Sequence, residues 1–129
     1  MTDISYLDAS AIVKLVLDEP DSLGMLRWYH ESERVVTSRV GVIETRRAAS
    51  RRDGDPAQLA AIIGQLGVFE LDDDIDRRAS AIGPQSLRTL DAIHLATALS
   101  IPGLGSFVTY DDRLAEAARA VGLPVVRPA

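Results

Sequence analysis

Short apolar runs of strand type alternate with helical segments along the whole of this 129-residue chain. A strand, a helix and a second strand in succession return the chain in the same direction, so the alternation calls for a parallel sheet covered on both faces. The predicted strands are Ile4-Ser5-Tyr6-Leu7, Val35-Val36-Thr37, Val68-Phe69-Glu70-Leu71, Ser106-Phe107-Val108-Thr109 and Val125-Val126. Helices are expected after Ser10 as N-cap, from Asp21-Ser22, from Arg39 to Arg52, after the Asp53-Gly54-Asp55-Pro56 turn, from Asp72 to Ile82, from Thr89 to Leu99, and from Asp111 to Gly122. The expectation is one three-layer α/β/α domain over residues 1–129, with a central parallel sheet of four to five short strands.

Composition narrows the chemistry. Apolar residues make up 47%, enough to bury a core. Cysteine is absent, which excludes disulfides, thiolate zinc sites, iron–sulfur clusters and a Cys nucleophile. Lys14 is the single lysine, and no glycine pattern of a phosphate-binding loop accompanies it. No apolar stretch approaches the roughly 20 residues of a membrane helix, and Met-Thr-Asp-Ile-Ser lacks the basic and apolar regions of a signal peptide. A soluble cytoplasmic domain is expected. The net charge of -5 argues against coating nucleic acid by bulk charge, while leaving room for a local basic patch.

In open parallel sheets the functional crevice lies beyond the carboxyl ends of the strands. Asp8 directly follows the first strand, where an N-cap is the alternative role. Asp111 follows the fourth; its neighbour Asp112 is assigned as the helix cap or as a solvated residue, leaving Asp111 for the site. Asp91 opens a helix made mostly of Ala, Ile and Leu, an uncommon place for an acid without a partner. Glu44 lies on a helix rich in Val and Arg, where an ion pair with Arg47 is the plainer role. Four carboxylates on four elements, brought to one end of a sheet, repel one another and raise each other's pKa unless a hard cation neutralises them. Oxygen-only ligands suit Mg²⁺ or Mn²⁺, and such ions support phosphodiester hydrolysis. The two histidines, His30 and His94, have no evident serine partner for a triad. His94, three residues after Asp91, is expected to pack or hydrogen-bond within the helices rather than to bind metal.

Tyr6-Leu7-Asp8-Ala9-Ser10-Ala11, Glu44 within Val42-Ile43-Glu44-Thr45-Arg46-Arg47, Leu90-Asp91-Ala92-Ile93-His94-Leu95-Ala96-Thr97-Ala98 and Val108-Thr109-Tyr110-Asp111 together resemble the PIN domain, and more narrowly the VapC toxins of type II toxin–antitoxin pairs. The resemblance implies a growth-inhibiting endoribonuclease that needs Mg²⁺ or Mn²⁺. It implies that Asp8, Glu44, Asp91 and Asp111 hold the metal and orient or deprotonate the attacking water. Ser10 and Thr109 would support them through hydrogen bonds, with Asp112 beside Asp111. It also implies a homodimer and a cognate VapB-type antitoxin.

Six arginines and one acid lie between Arg34 and Arg52, a local basic excess. Arg39, Arg46, Arg47 and Arg51 are candidates for RNA phosphate contact; a solvated face or an antitoxin contact are the alternatives. Trp28 and Tyr29 offer an apolar partner surface, with Leu23 and Leu26 expected in the core. Two other readings compete. A haloacid-dehalogenase-like phosphatase wants a second Asp where Ser10 stands, and its lysine is missing. A catalytically silent binding module has no need of four intact acids.

Overall fold

A computed structural model describes residues 3–129. Among these are β1 (Ile4–Leu7), α1 (Ala9–Val16), α2 (Ser22–Glu31), β2 (Arg34–Ser38), α3 (Arg39–Arg51), α4 (Pro56–Gln65), β3 (Gly67–Phe69), α5 (Asp73–Ala81), α6 (Thr89–Leu99), β4 (Ser106–Val108), α7 (Asp112–Ala120) and β5 (Val125–Val126). All five strands pair in parallel, in the order β3-β2-β1-β4-β5. Two predicted ends shift: β3 is Gly67–Phe69, and β4 stops at Val108, so Thr109 already lies beyond the sheet.

Strand side chains alternate between faces, and the register makes that alternation consistent across the sheet. Tyr6 pairs with Val36 and Phe107, and Phe107 with Val125; all four belong to one core. Leu7 pairs with Val108, and Val108 with Val126; these belong to the other. α1, α2 and α4 cover the second face through Ile12, Leu15, Met25, Tyr29 and Ile62. α6 and α7 cover the first through Leu95, Ala98, Leu114 and Ala118. Tyr6 and Phe107 stack with ring centroids 5.4 Å apart. Leu23 is exposed rather than in the core, because α2 turns it away from Met25 and Tyr29; Trp28 is half-buried against the core. Among the described residues no helix is long and apolar enough to cross a membrane.

The chain begins at the middle of the sheet, works outward through β2 and β3, then crosses to β4 and β5. The helix after β1 packs on one face and the helix after β4 on the other, so the two connections part and leave a crevice at the strand ends. Asp8 and Asp111 stand at this switch point. α3 touches both α1 and α6 and so brings Glu44 toward the same end.

α3 starts under tight constraint. Ser38 caps it, its hydroxyl accepting from Gly41 N at 3.1 Å. A Cβ at Gly41 would lie 2.3 Å from Thr37 Oγ1 and 3.4 Å from His94 Cε1. Thr37 is fully buried and donates to the Leu7 carbonyl at 2.7 Å, so it has no other place to go. Gly41→Ala is expected to break that bond or displace α3, at about 1–3 kcal/mol of stability by urea unfolding. Wild-type stability in this variant would show that α3 is seated differently.

Candidate active site

Asp8 is both helix cap and site residue. Its Oδ1 accepts from Ser10 Oγ at 2.7 Å and Ala11 N at 3.0 Å; its Oδ2 accepts from Thr109 Oγ1 at 2.6 Å. The expected cap, Ser10, sits instead inside the first turn of α1 and serves Asp8. Ser10 Oγ also accepts from Tyr110 N at 2.8 Å, and Thr109 Oγ1 from Asp111 N at 3.1 Å. These bonds tie the end of β1 to the end of β4. A carboxylate has about four acceptor positions. Three are taken here, and one on Oδ2 remains.

The other three acids come from separate helices. Asp91, in the first turn of α6, is half-buried, and its carboxylate makes no hydrogen bond or ion pair with a described residue. Glu44 Oε1 is held by His94 Nε2 at 2.7 Å. Asp111 Oδ1 caps α7, accepting from Arg113 N at 2.9 Å and Leu114 N at 3.2 Å. The cap is thus Asp111 and not Asp112, because the side chain just before the first helical residue reaches the free N–H groups. Asp112 is exposed and pairs with Arg127 at 2.5 Å. α6 has no side-chain cap: the residue before it is Arg88, which makes no such bond. One oxygen each of Glu44 and Asp111, and both of Asp91, are left without a protein partner among the described residues.

The electrostatics follow from the placement. Burial is the largest influence on Asp8 and raises its carboxyl above the ordinary value, against His94 and the three hydrogen bonds. Burial also raises Asp91, and the charges of Asp111 and Glu44 add to the rise. Asp91 therefore feels two of the other acids. Among the described residues, no three Asp, Glu or His side chains are placed close enough together to hold a metal ion. The donor chemistry nonetheless fits a hard divalent cation: the free positions are all carboxylate oxygens, and a positive charge between them relieves the repulsion that Asp91 experiences. His94 is 1% exposed with both ring nitrogens engaged, the buried and hydrogen-bonded role expected of it.

The candidate arginines separate. Arg39 grips Glu70 through two bonds, at 3.1 and 2.5 Å, which removes it from the site. Arg46 faces α4 beside Pro56, Leu59 and Ile63, away from the acids, because residues adjacent on a helix point about 100° apart. Arg47 and Arg51 line a groove of about 330 Å³ with Glu44, Ile43, Val40 and Leu90. Arg88 and Arg113, not anticipated from sequence, line a second of about 240 Å³ with Asp91. Their positions, three before Asp91 and two after Asp111, are the signal that could have found them.

A family model described as PIN domain matches residues 5–120. Ribonuclease VapC35 of Mycobacterium tuberculosis is 42% identical over 130 residues, spanning 95% of this chain and 96% of that protein. The structure of Mycobacterium tuberculosis VapC20, described as a sarcin–ricin loop cleaving toxin, has a TM-score of 0.75 at 19% identity, over 96% of this chain and 99% of that one. A toxin–antitoxin complex from Klebsiella pneumoniae gives 0.73 at 20% identity, over 97% and 98%. The two structures show a common fold.

The raised carboxyls make a stability prediction. Between the ordinary value of 3.8 and the raised values of Asp8 and Asp91, the folded chain keeps protons that the unfolded chain has released. Stability falls as pH rises through that window and returns on acidification. In divalent-free buffer Asp91→Asn should therefore melt roughly 1–4 °C above wild type at pH 7, the gap closing toward pH 4. Equal calorimetric Tm values at pH 7 would contradict the coupling of these acids.

Proposed function

The chain belongs to the PIN domain family, and from that premise we propose a metal-dependent endoribonuclease that acts as the toxin of a toxin–antitoxin pair in the cytoplasm. The observation that carries this reading is the half-buried carboxylate of Asp91, which has no hydrogen-bond partner among the described residues and feels the charges of Asp111 and Glu44. The site would take Mg²⁺ or Mn²⁺ on Asp8, Glu44, Asp91 and Asp111. When bound, the ion supplies charge neutralisation and Lewis acidity at the scissile phosphate.

The chain's own residues do the rest. Ser10, Thr109 and Ala11 N fix the Asp8 carboxylate, so its free Oδ2 position has one direction. The unpartnered oxygens of Asp91, Asp111 and Glu44 accept hydrogen bonds from the attacking water and orient it. Arg47 and Arg51 on one side of the acids, and Arg88 and Arg113 on the other, offer phosphate contacts along a strand crossing the site. This explains how a chain of net charge -5 holds RNA: the bases flank the acids. Exposed Ile43 and Leu90 line the groove beside Glu44, which suits an antitoxin of VapB type docking over the site, and a second copy of the chain completes the assembly. The phosphatase reading falls away, since the position of its second acid is filled by Ser10, a hydrogen-bond donor to Asp8.

Purified chain is expected to cleave RNA in Mg²⁺ or Mn²⁺ and to stop in EDTA. Asp8→Asn should lose at least about 100-fold in cleavage rate while still binding RNA. Cleavage by Asp8→Asn at the wild-type rate would refute the assignment. For RNA binding, Arg88→Ala with Arg113→Ala should reduce the slope of log K against log salt by about 1.4, two single-strand phosphate contacts, whereas Arg46→Ala should leave it unchanged. The reverse pattern would move the RNA path to the α4 side.

A further inference from the structure

His94 lies on α6, one turn after Asp91, and is 1% exposed. Its Nδ1 is 2.7 Å from Tyr6 Oη and its Nε2 is 2.7 Å from Glu44 Oε1. An ionised carboxylate only accepts, so the Nε2 hydrogen is the one donated to Glu44. Tyr6 is fully buried on β1, stacked on Phe107, and meets the imidazole edge-on at a centroid distance of 5.8 Å. The first turn of α3 closes over the other side of the ring, where a Cβ at Gly41 would lie 3.4 Å from Cε1. The imidazole therefore cannot turn without breaking its buried bond to Tyr6 Oη.

We infer that His94 is a positioning residue: locked by Tyr6, it holds the Glu44 carboxylate in the acid site and so sets the affinity of that site for a divalent cation. The inference rests on the metal-dependent reading above and adds to it the device that holds the fourth acid. Glu44 needs such a device more than the aspartates do. It has one more rotatable bond, it sits mid-helix with no backbone N–H to cap, and the other carboxylates repel it. Free in solvent, it would swing away from them. Asp8 and Asp111 are held by backbone N–H groups of the helices they cap, and among the described residues Glu44 is held by His94 alone. The same contact joins three acid-bearing elements. Tyr6 is two residues before Asp8 on β1, His94 three after Asp91 on α6, and Glu44 on α3. The imidazole touches no open space where substrate or water could reach it, which separates this role from that of a catalytic residue.

The test is Mn²⁺ binding, read by calorimetry and by the electron paramagnetic resonance of free Mn²⁺, on the whole chain without RNA. His94→Leu should raise the Kd about tenfold, as should Glu44→Gln, and the double variant should be little worse than either. His94→Gln, whose amide can still donate to Glu44, should recover to within about threefold of wild type. Tyr6→Phe with His94→Leu removes both buried polar partners and provides a folded comparison if His94→Leu alone fails to fold; it too should bind about tenfold more weakly. Wild-type affinity in His94→Leu or in this double variant, or effects of His94→Leu and Glu44→Gln that multiply, would overturn the positioning role. Wild-type chain that binds no Mn²⁺ would overturn the metal-dependent reading itself, a result distinct from intact binding that ignores His94.

Discussion

The carboxylate of Asp8 is the constraint on which the rest of the structure turns. It ends the central strand of the sheet, at the place where the chain reverses its progress across the strands. Burying a charge there is costly unless its oxygens are satisfied. Three donors satisfy it, from Ser10, Ala11 N and Thr109, and two of these hydroxyls also accept from the backbone that follows β4. One buried acid thus starts α1, pins β1 to the turn after β4, and delivers Asp111 to the mouth of the crevice. The stability gained by these bonds is set against burial, and the raised carboxyl of Asp8 shows that burial prevails.

The remaining acids are arranged by a common principle: each is tethered on one side and open on the other. Asp111 is tethered by the N–H groups of α7, Glu44 by a histidine, and Asp91 only by the helix that carries it. Such an arrangement stores electrostatic repulsion, felt at Asp91 from Asp111 and Glu44. A domain with no use for these oxygens would gain stability by replacing them, and that is the physical argument for a site rather than a surface.

Three of the four acids stood out in the sequence because strand ends and helix starts are themselves legible, while Glu44, mid-helix, rested on the family resemblance. Leu7-Asp8 and Thr109-Tyr110-Asp111 follow apolar runs of strand type, and Asp91 interrupts an apolar helix. The parallel, doubly covered sheet was legible for the same reason. What could not be read were relations between distant residues. Which of Asp111 and Asp112 caps α7 depends on where the helix begins to within one residue. Ser10 looked like a cap because its role depends on Thr109 and Tyr110, about 100 positions away. Arg39 and Arg46 belonged to a basic run, yet one is claimed by Glu70 on the strand side and the other turns to α4. The contact of His94 with Glu44 spans 50 residues and joins two helices whose packing no local pattern reveals.

The central claim is that Asp91 is coupled to Asp111 and Glu44 in a site that a hard cation would relax. Its most direct measurement is the titration of the Asp91 side-chain carboxyl by carbon NMR, first in divalent-free buffer and then in Mg²⁺. The account predicts a pKa above the ordinary 3.8 without the ion and a clear fall when Mg²⁺ is added. A carboxyl that titrates at its ordinary value in divalent-free buffer, or one that ignores millimolar Mg²⁺, would contradict it.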